Sequence, residues 1–130
     1  MTGSSRRILV VDDDQNTRLL SERVLTSAGH EVQSVGTAKD AIQALDARRP
    51  DLVLLDVVMP DQDGWSVLQH IGALPARPLV VVMTARVEEQ TAARAMQLGA
   101  AVCLYKPFGL RALVDTCNRL LLVEPKPSSS

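Results

Sequence analysis

The chain has 130 residues, enough for one domain with a real core. Hydrophobic residues make up 46% of it but aromatics only 2%, so that core is aliphatic; with 22% charged residues and a net charge of −1, no basic stripe is present to hold nucleic acid directly. No apolar run reaches membrane-spanning length and Met1 to Arg7 lacks a signal-peptide core, so cytoplasmic residence without a membrane partner is expected.

Along the chain, apolar runs of strand length alternate with segments of helical period. Ile8-Leu9-Val10-Val11 stops on Asp12-Asp13-Asp14. A helix from about Gln15 to Ala28 follows, with Leu20, Val24 and Ala28 on one face and Gly29 to end it. Glu31 to Val35 is β-compatible, and Thr37 with Asp40 forms a variant capping box opening a helix with Ala38, Ala41, Ile42 and Leu45 on its apolar side. Arg48-Arg49-Pro50 closes that helix before Leu52-Val53-Leu54-Leu55, which stops on Asp56. In the stretch from Val57 to Gly64, Pro60 and the Asp63-Gly64 pair forbid simple continuation of the strand, and a helix from about Trp65 to Gly72 follows. Pro75 and Pro78 bracket the turn into Leu79-Val80-Val81-Val82-Met83, which stops on Thr84. Ala92, Ala95, Met96 and Gly99 trace a small-residue helical face, Val102-Cys103-Leu104-Tyr105 stops on Lys106-Pro107, and a last helix runs from about Leu110 to Val123.

Continuous Val, Ile and Leu runs without polar alternation suit parallel strands covered on both faces. The order βαβαβαβαβα with right-handed crossovers therefore predicts an α/β fold, a doubly wound five-stranded parallel sheet with helices on both faces. One domain is expected over residues 7–123, with residues 1–6 an N-terminal extension and 124–130 a polar tail or linker stump. Ligands of such sheets sit at the carboxyl ends of the strands, where the polar tips fall.

If the first and third strands are neighbours, as in the order 2-1-3-4-5, Asp12, Asp13 and Asp56 converge. Two carboxylates about 4 Å apart repel by roughly 4 kcal/mol at an effective dielectric near 20, so the cluster calls for a cation. Oxygen-only ligands with retained waters favour Mg²⁺. A carboxylate beside Mg²⁺, with Lys106 and Thr84 from adjacent strands, is equipped to accept a phosphoryl group: Asp56 attacks in line, already ionised and needing no general base.

These residues resemble the receiver domain of two-component response regulators over roughly Arg7 to Val123. The matching stretches are the Ile8 to Asp14 run, Leu55-Asp56-Val57-Val58-Met59-Pro60 with Asp63-Gly64, Met83-Thr84-Ala85, Leu98-Gly99-Ala100 and Lys106-Pro107-Phe108. The resemblance implies a flavodoxin-like sheet, with Asp13 binding Mg²⁺ directly, Asp12 acting through water and Asp56 as phosphoacceptor. It also implies that the Val58 carbonyl completes the metal site, that Thr84 and Lys106 contact the phosphoryl group, and that the bond before Pro107 is cis. A sensor histidine kinase or phosphotransfer protein would be the donor and an unnamed downstream protein the target, in a signalling protein that catalyses only its own phosphorylation and slow autodephosphorylation. Val58 and Arg86 match positions that tune phosphoryl lifetime, and an apolar Val58 is expected to hinder attacking water.

One departure stands out. Three residues before the lysine the family generally places an aromatic that rotates with the threonine; here that position is Cys103. Tyr105, next to Lys106, is not read as its substitute, because adjacent strand residues point to opposite faces. A competing reading is thus a non-phosphorylated pseudo-receiver that works as a protein-interaction module. A flavodoxin-type carrier is disfavoured, since three carboxylates after the first strand would repel FMN, and Val58 occupies the place of the second acid in an Asp-x-Asp phosphohydrolase.

The remaining features have bland readings. Cys103 and Cys117 form neither a CxxC pair nor a Cys/His cluster and read as reduced core residues, Cys117 sharing a stripe with Leu110, Leu113, Val114 and Leu121. His30 and His70 read as exposed residues without a catalytic partner. Leu120-Leu121-Leu122-Val123 is either a well-buried terminal helix or the surface of a homodimer.

Overall fold

The computed structural model describes residues 6–59, 62–85 and 89–121. Five strands form one parallel sheet: β1 (Arg7–Val11), β2 (Glu31–Val35), β3 (Leu52–Asp56), β4 (Leu79–Thr84) and β5 (Val102–Tyr105). Their order is β2-β1-β3-β4-β5, so the chain reverses direction across the sheet between β1 and β3. This is the flavodoxin-like order expected from the sequence. Helices α1 (Gln15–Ser27), α2 (Ala38–Ala47), α3 (Gly64–Gly72), α4 (Glu89–Gln97) and α5 (Leu110–Leu120) make the crossovers and the final cover.

Strand geometry explains why the apolar runs do not alternate with polar residues. Leu9, Val11, Val53, Leu55, Val80 and Val82 face a core closed by α2, α3 and α4. Their neighbours Ile8, Val10, Leu52, Leu54, Val81 and Met83 face a second core closed by α1 and α5. Each residue of a central strand therefore removes apolar surface from water on one side or the other.

Local signals place several helix ends. The Thr37 side chain accepts a hydrogen bond from the Asp40 backbone N–H at 3.0 Å, which caps α2 as its sequence predicts. After α1, Gly29 takes a positive φ of 98°, a conformation open to glycine because it lacks a Cβ. Between β3 and α3, Val58–Met59 pairs antiparallel with Gln62–Asp63, so part of the stretch expected as a loop is paired strand.

Five expectations on packing are corrected. Helix α1 turns Ser21 and Leu25 inward, while Leu20 is 48% exposed; the helix is rotated by about one residue from the face read in the sequence. In α4, Thr91 and Ala95 are buried and Met96 is exposed, and in α5 Leu110 is exposed while Leu113, Cys117 and Leu121 are buried. His30 is only 4% exposed, because it follows the Gly29 turn back under α5, where its Nε2 lies 2.7 Å from the Asn118 Oδ1 it donates to. His70 is only partly exposed and pairs with Asp46 at 2.9 Å. The last helix ends at Leu120, and Leu122 and Val123 lie outside the described residues, as do residues 1–5 and 124–130.

Candidate functional site

The polar tips of β1, β3, β4 and β5 meet at the carboxyl edge of the sheet. Direct pairing of β1 with β3 brings Asp12 and Asp56 side by side, because each is the first polar residue reached as an apolar strand leaves the core. Ligand oxygens of Asp12, Asp13 and Asp56 all lie within 4.8 Å of one another. Asp12 is fully buried and Asp56 is 4% exposed, while Asp13 opens to solvent.

Lys106 reaches into this cluster from the end of β5. Its Nζ donates to Asp12 Oδ2 at 2.7 Å and to Asp56 Oδ2 at 2.9 Å. Burial of the ammonium opposes its charge, but the hydrogen bonds and charges of Asp12 and Asp56 outweigh that effect and hold its pKa above the ordinary lysine value. Its backbone N–H donates to the Thr84 carbonyl at 2.8 Å, which joins the tips of β4 and β5. Thr84 itself is fully buried at the end of β4. The Lys106-Pro107 bond is cis, as the sequence comparison implied.

Around the acids the first turn of α1 supplies further order. Asp12 Oδ1 accepts the Asp14 N–H at 2.9 Å. Asp14 precedes α1 but makes no side-chain cap; its carboxylate instead accepts from the Thr17 hydroxyl, and this bond lowers its pKa. Arg18 was not singled out in the sequence, where nothing marks it. Its guanidinium donates to the Asp12 carbonyl at 2.7 Å and so braces the acidic tip. Val58 continues the backbone two residues beyond Asp56, paired with Asp63, whereas Arg86 lies outside the described residues.

The orientation expected of Tyr105 is corrected, while Cys103 remains the residue at the usual aromatic position. Tyr105 lies two residues beyond Cys103 on β5, so both project to the same face, and in the sheet register Tyr105 pairs with Thr84. Burial raises the Cys103 thiol pKa, and a hydrogen bond with Tyr105 offsets part of that rise. Cys103 is a free thiol at intermediate exposure rather than a core residue, and Tyr105 is 39% exposed.

A groove of about 420 Å³ opens beside Lys106, lined by Thr17, Leu20, Ala85, Phe108 and Leu110 among others. Its walls are mostly apolar, and the outward-facing Leu20 and Leu110 are part of them.

Fold, strand order and acidic edge together define a receiver-type scaffold, and comparison with known proteins gives the family. Residues 8–118 match the model of the response regulator receiver domain, and the chain belongs to that family. It is 39% identical over 124 residues to the transcriptional regulatory protein GltR of Pseudomonas aeruginosa, covering 93% of this chain and 51% of that protein. With the sporulation initiation phosphotransferase F of Bacillus subtilis it shares 30% identity over 117 residues, covering 90% of this chain and 94% of the other. The crystal structure of NtrX from Brucella abortus superposes with a TM-score of 0.85 at 32% identity, over 91% of this chain and 28% of that one. The chain thus spans about half of GltR and little more than a quarter of the NtrX chain. Receiver domains take part in two-component signal transduction and bind Mg²⁺ at their acidic pocket. Among the described residues no helix is long and apolar enough to cross a membrane.

Proposed function

We propose that this protein accepts a phosphoryl group on Asp56 from a sensor histidine kinase or phosphotransfer protein and passes the signal to a partner protein by a conformational shift. The observation that carries the reading is the contact of one ammonium with both buried carboxylates, Lys106 Nζ at 2.7 Å from Asp12 and 2.9 Å from Asp56. Such an arrangement sets a cation beside the Asp56 carboxylate, where phosphoryl oxygens would gather.

In the transfer the P–N bond of a phosphohistidine breaks as a P–O bond to an Asp56 carboxylate oxygen forms, with the leaving imidazole taking its proton from water. Lys106 exchanges its contact with Asp56 for a phosphoryl oxygen, and the Thr84 hydroxyl donates to another. The donor set of Asp12, Asp13, Asp56 and the Val58 carbonyl fits a hard divalent cation, since the carboxylate oxygens lie within 4.8 Å of one another and Asp13 is open to solvent. Mg²⁺ bound there would supply charge neutralisation for the transferring group. The apolar groove beside Lys106 suits the docking of a helix that carries the donor histidine.

The test is incubation with acetyl phosphate and Mg²⁺, followed by intact mass. Wild type gains one phosphoryl group and Asp56→Asn gains none. Wild type without an adduct would instead favour the interaction-module reading, for which Cys103 at the usual aromatic position is the motive.

A further inference from the structure

Helix α4 is lightly anchored. Of its described side chains only Thr91 and Ala95 are buried, and Met96 is 49% exposed. Beneath it on β5 the residue at the usual aromatic position is Cys103, whose short side chain offers α4 no ring to follow.

A ring that does meet α4 comes from α3. The Arg94 guanidinium carbon lies 4.2 Å from the centroid of the Trp65 ring, a cation over the electron-rich face of an indole. Trp65 is the second residue of α3 and packs, partly buried, against the core of that face of the sheet. The residue before it, Gly64, has no room for a side chain: a Cβ there would stand 2.5 Å from the Asp56 carbonyl oxygen and 2.5 Å from Val57 Cα. The first turn of α3 therefore rests directly on the backbone of Asp56. A packed contact of backbone on backbone is not compressible, so a shift at Asp56 must move the start of α3 and Trp65 with it.

We propose that the Arg94–Trp65 stack is the link through which the state of Asp56 reaches α4, so that this receiver positions α4 from α3. The inference rests on Asp56 being the phosphoacceptor. Because the stack is half exposed and made by one cation and one ring, a small displacement is enough to break or re-form it, as a two-state contact requires.

Trp65 is the single tryptophan of the chain, so its emission reports on the stack without interference. Wild type, Arg94→Gln and Arg94→Lys are each treated with acetyl phosphate and Mg²⁺, with phosphorylation read by intact mass, Trp65 by emission and α4 by backbone amide shifts. Arg94→Gln is expected to accept the phosphoryl group as fully as wild type while losing more than half of the α4 and Trp65 responses, which Arg94→Lys largely retains. Trp65→Leu should impair the α4 response as Arg94→Gln does, and the double variant should be no worse than either single one. An α4 response in Arg94→Gln equal to that of wild type, or additive losses in the double variant, overturns the link and leaves the phosphoacceptor reading standing. Absence of any adduct on wild type overturns both.

Discussion

Replacing Lys106 with Met keeps the length of the side chain and removes the ammonium from between two buried acids. In the native protein the Asp12 and Asp56 side chains are only 0% and 6% exposed, so removing the ammonium leaves both carboxylates with little access to water. At an effective dielectric near 20, charges separated by 2.7 and 2.9 Å attract by about 6 kcal/mol each. Desolvation of the three charges already offsets most of that attraction in the native protein, so the net cost of removing one partner is roughly 3–5 kcal/mol. The assay is urea unfolding at neutral pH in the presence of a chelator. Two further outcomes follow from the same geometry: Mg²⁺ should recover part of the loss, because the uncompensated acids gain a countercharge. The double variant Lys106→Met/Asp56→Asn should be more stable than Lys106→Met alone, because it removes one of the stranded carboxylates. A loss below about 1 kcal/mol, the range of an exposed ion pair, would refute the account of the site as a buried and mutually dependent cluster.

Gly64→Ala should be among the most damaging small substitutions, costing about 3 kcal/mol or more, since its Cβ would meet backbone atoms of Asp56 and Val57 at 2.5 Å; thermal unfolding checks this, and near-wild-type stability would refute it. Thr37→Ala should cost about 1 kcal/mol by removing the acceptor for the Asp40 N–H, read in the same unfolding experiment. Burial pushes the Cys117 thiol from 9.0 up to about 12. Because the folded state holds that proton more tightly, its contribution is fully present below pH 9 and is lost as pH rises from 9.0 toward about 12. The stability difference between wild type and Cys117→Ala should therefore narrow over that window by up to roughly 4 kcal/mol, and a pH-independent difference would refute it.

Most of the architecture was legible in sequence order because it depends on nearest-neighbour physics. Uninterrupted apolar runs mark strands buried on both faces, the polar residue that ends each run marks the edge of the core, and Thr37 with Asp40 marks a helix start. Asp12, Asp13, Asp56, Thr84 and Lys106 could be named together because each lies at or just past the carboxyl end of a strand, and one strand order brings those ends to a single edge. What the linear pattern leaves open is rotation and reach. A helix with apolar residues at Leu19, Leu20, Val24 and Leu25 can settle on more than one face, and only packing against β1 and α5 selected Ser21 and Leu25. His30 looks like an exposed turn residue until the Gly29 turn folds it against Asn118, 88 positions away. The relation of Tyr105 to Thr84 depends on the register between β4 and β5, and the stack of Arg94 on Trp65 depends on the spacing of two helices on one face of the sheet. Local composition determined which segments form and where their polar ends lie. Long-range contact alone decided which of those ends touch, because side-chain orientation and pairing are settled by packing density and not by any signal within a few residues.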